Sequence, residues 1–353
     1  MSANAYIHVG VLVNSCLIGA NAYRVLSDEA EFQESWLEEI TDTIRQKERP
    51  GHRFMYACTE LDKTELWMIP FSAGAERLLT LQDAMEHVQA NFLGAKHFVF
   101  PFDVVEEDSS TALIMRPMDR FTTAPIRKYL PNSQAPRWQI AKSLFTRIRQ
   151  LHQMGLTSNG ISREQLRVDE DSWEVELRLN HTLRLIHSKG QDMRHEGFCA
   201  LPVFTEEQCS KCQKPITGIQ RDIFSAAVVS FYLIMYNHPF LGAHFKPLSR
   251  DEYLTKYLHA PSYTMDPNGS NGLGNQRFDR EVEYQWGLTV PELKQLFDGI
   301  FLAACDPEHK WDPSDPWWNI DNWLAAIDVD RRANDNEKSR TSYEFSNYYY
   351  HMV

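Results

Sequence analysis

Apolar and polar positions come in short blocks through the first third of the chain and then settle into long helical stripes. Residues 6–17 are rich in Val and Ile, as strands are. Ser27 precedes Asp28, Glu29 and Glu31, acids suited to the positive end of a helix dipole. Phe32, Trp36, Leu37, Ile40 and Ile44 follow at helical spacing, so a helix over 27–46 is expected, ending near Arg49-Pro50-Gly51. Two strand-like runs come next, 53–59 and 65–71, joined by the polar turn Leu61-Asp62-Lys63. A helix over 81–93 and strands over 97–104 and 111–116 complete this part. After the first helix the order is strand, strand, helix, strand, strand.

Beyond Pro131 the rhythm changes. Ile140, Leu144, Ile148 and Leu151 form one stripe of an amphipathic helix. Residues 165–168 and 175–179 read as a hairpin around the acidic turn Asp169-Glu170-Asp171, whose charges are expected to be a solvated face. Residues 222–236 are apolar nearly all round, as a helix at the centre of a lobe should be. Val290-Pro291 opens a helix with Leu293, Leu296, Phe297 and Ile300 inward, and the last helix covers 320–327. Residues 260–280 hold several Gly, Asn and Pro and predict a long surface loop. The run 268–274 within it follows no evident strand, so it reads as linker rather than as a phosphate loop. From 330 the chain is polar and then Tyr-rich. Tyr343, Phe345, Tyr348, Tyr349 and Tyr350 are too aromatic for a plain solvated tail and are expected to dock on this chain or on a partner.

Composition narrows the class. The chain has 353 residues, 43% of them hydrophobic and 24% charged, enough for a packed core and for two lobes. Its net charge of −12 argues against a nucleic-acid or anionic-membrane partner, both of which demand a basic footprint. The longest strongly apolar stretch, 226–236, is shorter than the about 20 residues a bilayer-spanning helix needs. Residues 1–5 carry no Lys or Arg, so neither a secretory leader nor membrane insertion is expected, and a cytoplasmic setting is. The 6 cysteines are too few for a disulfide scaffold. Cys209 and Cys212 have zinc-knuckle spacing and, with His195 and Cys199 upstream, would complete a tetrahedral structural Zn²⁺ site. The alternative is a pair of unliganded thiols. There is no H-E-x-x-H, G-x-S-x-G or Walker A sequence.

The helical part carries stretches that resemble protein kinases. Leu151-His152-Gln153-Met154-Gly155-Leu156 resembles L-H-x-x-G-I, the end of the helix leading into the kinase catalytic loop. Asp222-Ile223-Phe224-Ser225 through His238-Pro239-Phe240-Leu241-Gly242 resembles D-I-Y-S-L-G-V…H-P-F-x-G. Residues 202–208 resemble P-E-Y-x-x-P-E, and 288–327 resemble the closing helices of bacterial kinase-like proteins, where a Leu-rich helix precedes R-P-T-x-x-E-W. The resemblance spans 6–327 and implies an α+β, protein kinase-like bilobal fold. It places a small strand-rich N-lobe over 1–116 with a helical insertion at 27–46, a larger helical C-lobe over 117–329, and a tail over 330–353.

Phosphoryl transfer is mostly positioning and charge stabilisation, so a kinase needs a strand lysine on the phosphates, a catalytic-loop Asp, and Asn plus Asp on magnesium. The pattern H-R-D-L-K-P-E-N falls on 158–165. Gly160 therefore stands where the proton-accepting Asp should be, and Gln165 where Asn holds metal. D-F-G falls on Leu179-Asn180-His181. Near V-A-I-K the chain offers Trp67-Met68-Ile69-Pro70, with no lysine. The Gly-rich loop is at best 19–24, with two of its three glycines gone. The Glu and Arg that pair in active relatives fall on Gln208 and Trp317, both neutral. Losing one partner of such a buried pair costs roughly 3–5 kcal/mol, whereas losing both is tolerable. Asp222, which anchors the catalytic-loop backbone in kinases, is kept. His152 and His181 read as framework positions rather than acid–base groups.

The resemblance thus implies a pseudokinase, with no cofactor expected, that binds another protein as a scaffold or allosteric regulator in signalling. The alternative is an atypical nucleotide-dependent transferase with a non-standard cleft, resting on Gln165 and the acids at 169–171. A third reading is a zinc-clipped interaction module. The 27–46 helix is either a partner-binding element or packing for the small lobe.

Overall fold

The computed structural model describes residues 6–8, 22–26, 55–59, 65–71, 75–92, 95–107, 110–115, 123–125, 136–161, 165–180, 182–188, 217–243, 252, 256–257, 259–274 and 277–334. The expected 27–46 helix, His181, Gln208, the candidate zinc ligands His195, Cys199, Cys209 and Cys212, and the Tyr-rich tail lie outside the described residues. The fold is mixed α and β and divides into two compact units. The first comprises Met1–Phe121 with Arg178–Gln191, the second Thr122–Leu177 with Asp192–Val353.

In the first unit the described elements are β1 (Tyr6–His8), β2 (Ala22–Leu26), β3 (Met55–Thr59), β4 (Glu65–Phe71), α1 (Ala75–Asn91), β5 (Phe98–Val99), β6 (Pro101–Glu107) and β7 (Ser110–Met115). A six-stranded antiparallel sheet runs in the order β1-β2-β3-β4-β7-β6. Its two edge strands, β1 and β6, approach one another, so the sheet curls. Helix α1 buries Leu81, Ala84, Met85 and Val88 and leaves Asp83 and Glu86 exposed. That is the one-faced stripe of a helix laid on a sheet. It begins at Ala75, ahead of the expected residue 81, because its first turn precedes the apolar stripe. Residues 22–24, expected to form part of a Gly-rich loop, are instead the start of strand β2. Pro70 sits within β4, where its missing N–H would ordinarily break a central strand. Among the described pairs β3 stops opposite Met68, so at Pro70 the strand is paired on the β7 side, opposite Ala112.

The second unit contains β8 (Thr123–Pro125), α2 (Arg137–Gln153), β9 (Leu156–Thr157), β10 (Leu166–Asp169) and most of β11 (Val175–Arg178). A short strand of the first unit, β12 (Arg184–Leu185), comes next in the chain, and the second unit resumes with α3 (Gly218–Met235), α4 (Arg277–Leu288), α5 (Pro291–Cys305) and α6 (Ile320–Asn334). The hairpin β10–β11 pairs Leu166 with Leu177 and Val168 with Val175, and β8 flanks it. At the centre lies α3, buried almost throughout, with α2, α4 and α5 around it. Phe231 meets Phe297 and Phe301 edge-on, at centroid separations of 5.2 and 5.6 Å, and Phe145 stacks on Trp323 at 4.9 Å. The N-terminus of α3 is closed by a capping box in which Thr217 accepts from Gln220 N and the Gln220 side chain accepts from Thr217 N. At 18 residues α3 is longer than its apolar stretch in the sequence. By length and composition it could cross a membrane, yet 89% of it is buried inside the protein.

Two expectations in this unit are corrected. Helix α6 runs to Asn334, past residue 330 where the tail was expected to begin. The reason is Asp330, a fully buried carboxylate that accepts from Trp138 Nε1 at 2.5 Å and from Val290 N at 2.7 Å. It ties the starts of α2 and α5 to the end of α6. The 260–280 stretch is not simply surface loop either. Tyr263, Thr264 and Asn271 are buried, Asn271 Nδ2 donates to Phe240 O and Ser262 O, and α4 begins at Arg277.

Candidate functional site

The stretch after α2 is built by the start of α3. Helix α2 ends at Gln153, Gly155 turns the chain with φ 76°, and β9 leads into Ser158-Asn159-Gly160. Opposite stands Asp222, in the second turn of α3 and fully buried. Asp222 Oδ2 accepts from Ser158 N at 3.0 Å and Thr157 Oγ1 at 2.7 Å, and Oδ1 accepts from Gly160 N at 2.7 Å. His152 Nε2 lies 3.1 Å from Oδ2. One turn on, Ser225 Oγ accepts from Ile161 N at 3.1 Å. Arg221 donates to Asn159 Oδ1 at 2.7 Å. The approach of helix to loop is tight: a Cβ on Gly218 would come 2.7 Å from Thr157. Glycine is required there for that reason.

A buried carboxylate this fully engaged is an anchor, since its lone pairs are spent on holding N–H and O–H groups of the loop. What the loop presents in return is backbone. Asn159 has φ 58° and Gly160 has φ 105°. Asn tolerates the first value, whereas the second belongs to glycine. At the expected proton-accepting position the chain thus takes up a conformation that side-chain-bearing residues avoid. Gln165, expected at the metal-holding position, is 2% exposed, and its Nε2 donates to Ser158 Oγ at 3.3 Å.

In the first unit, Leu179 and Asn180 are the described members of the expected D-F-G position. Leu179 is fully buried, and its N–H donates to Val99 O at 2.9 Å. Asn180 Oδ1 accepts from Thr182 N at 2.9 Å and Thr182 Oγ1 at 2.6 Å, a side chain closing its own turn. Strands β1 to β4, β6 and β7 carry no lysine among their residues. Among the described residues of α1, the buried face carries Gln82 as its polar side chain, and its Nε2 has no hydrogen-bond partner. The sequence reading passed over Gln82. Its place three residues before Met85 on the apolar stripe was the available signal.

Trp317 is half-buried and lies over α5, where a Cβ on Gly299 would overlap its ring. Among the described residues no group of three or more His, Cys, Asp or Glu could hold a metal ion. The acidic turn is closed by Asp169 Oδ1, which accepts from Asp171 N and Ser172 N.

No protein family and no curated protein matches the sequence. Among solved structures the chain is similar to the crystal structure of BubR1 kinase domain, at 7% identity and a TM-score of 0.47, covering 94% of this chain and 84% of that one.

Proposed function

We propose that this chain is a catalytically inactive, protein kinase-like protein that works in signalling by binding another protein, as a scaffold or allosteric regulator. One observation carries the reading: Gly160, at φ 105°, sits where a kinase-like loop would need its proton-accepting carboxylate, in a backbone clamped by Asp222. On this reading Asp222 is the retained framework carboxylate and Gly160 stands in place of the chemical one. Support comes also from the described strands β1 to β4, β6 and β7, which carry no lysine. The competing reading, an atypical nucleotide-dependent transferase, leaned on Gln165 and the acids at 169–171. Gln165 donates inside its own loop and Asp169 serves its own turn, so neither observation favours it.

The test is a thermal shift of the full chain with ATP and Mg²⁺ or Mn²⁺. A ligand that binds only the native state raises Tm by mass action. The proposal expects no shift at millimolar nucleotide, and a metal-dependent rise of several degrees would move the assignment to a nucleotide-using enzyme. A zinc clip from His195, Cys199, Cys209 and Cys212 belongs to the same proposal as an accessory, visible as stoichiometric metal in the purified chain.

A further inference from the structure

Between α5 and α6 the chain folds residues 306–319 into a tightly bonded loop rich in tryptophan. Asp306 Oδ1 accepts from Glu308 N, Asp312 Oδ1 from Ser314 N, and Asp315 Oδ2 from Asp312 N, so its backbone is fixed. On that frame the rings form one connected cluster. His309 meets Trp311 at 5.0 Å and Trp317 at 6.3 Å, and Trp311 meets Trp318 at 5.3 Å. Trp311 and Trp317 are half-exposed. Trp317 rests on Gly299, and Leu302, on the same face of α5 one turn later, is 37% exposed. The outcome is an apolar surface with aromatic faces turned partly to solvent.

Two further observations say what it takes. First, Trp317 Nε1 and Trp318 Nε1 are buried with no hydrogen-bond partner, while His309 Nε2 faces Asp315 Oδ2 at 3.9 Å. Buried indole N–H groups ordinarily find an acceptor. Of the two, Trp317 is the half-exposed ring, and its N–H calls for a carbonyl oxygen, reached when that ring turns, as interface side chains commonly do. Second, the rim is acidic: Asp306, Glu308, Asp312 and Asp315 stand against Lys310 as the one basic side chain besides His309. Acids beside indole faces suit ammonium or guanidinium groups, which both attract.

We infer that this loop is a docking surface for an extended, basic segment of a partner protein, whose Lys or Arg side chains lie over Trp311 and Trp317 and one of whose main-chain carbonyls takes the Trp317 N–H. The inference rests on the protein-binding reading above and names the chemistry of its partner.

The probe is a fluorescent peptide of about twelve residues alternating Lys and Pro, which stays extended with its carbonyls free, followed by anisotropy against the full chain. Saturable binding that weakens with salt is expected, with an alternating Glu-Pro peptide not binding. Trp311→Ala should weaken it about tenfold, in the range of aromatic anchors. Glu308→Gln, which removes charge without touching the loop's bonds, should weaken it about threefold. Asp171→Asn, in the acidic turn of the β10–β11 hairpin, should leave it unchanged. Absence of binding, equal binding of the acidic peptide, or equal losses in Asp171→Asn would each overturn the inference. A failure here without a nucleotide shift removes this surface and leaves the inactive-kinase reading standing, whereas a nucleotide shift removes that reading itself.

Discussion

Gly160 matters less for the side chain it lacks than for the backbone it adopts. With φ 105° and its N–H held by Asp222, it cannot accept a carboxylate without strain. Gly160→Asp should lower stability by about 1–3 kcal/mol, read as a fall in the urea midpoint, and should confer no phosphate transfer. Asp222→Ala strands the buried N–H groups of Ser158 and Gly160 and should cost about 3 kcal/mol or more by the same measurement. A different residue sets a pH dependence. Burial pushes the Asp298 carboxyl above its ordinary range, with Tyr263 and Lys294 pulling it partly back. A carboxyl raised in the folded state binds its proton more tightly there than in the unfolded chain. Its contribution is therefore fully present below the unfolded value and lost as pH rises through the folded one. Asp298→Asn should raise Tm at pH 7, and the difference from the parent should vanish near about pH 4. A constant offset across that range would contradict the assignment.

At the scale of elements, the helical half was legible because its stripes are regular. Ile140, Leu144, Ile148 and Leu151 are all buried on α2, and the hairpin at 166–178 and the Pro291 start of α5 lie where the pattern puts them. The boundaries it missed were set by polar residues through their hydrogen bonds. Thr217 and Gln220 start α3 earlier than its apolar run, and Asp330 carries α6 beyond its own. Periodicity reads apolar faces and is blind to a carboxylate that is buried because it is hydrogen-bonded. Thr217→Ala should cost about 1 kcal/mol, the ordinary value of an N-cap, measurable by urea unfolding. Gly299→Ala drives a methyl into the Trp317 ring and should both destabilise the chain and change tryptophan fluorescence as the loop shifts. A variant with parental stability and spectrum would show that the ring is not seated there.

For the whole molecule, the sequence carried the division into a strand-rich part and a helical part. It did not carry the return of Arg178–Gln191 to the first unit, since that depends on contacts between segments distant in sequence. The tryptophan loop was visible only as composition, and its ring contacts emerged with the fold. The central claim is that these units keep a scaffold and have given up phosphate transfer. It is tested most directly by incubating the full chain with γ-labelled ATP, Mg²⁺ and Mn²⁺ and counting label on itself, on a generic acceptor protein and as free phosphate. The account predicts counts at the level of the protein-free blank. Label transferred above that blank, and lost on Asp222→Ala under conditions where the variant stays folded, would contradict it.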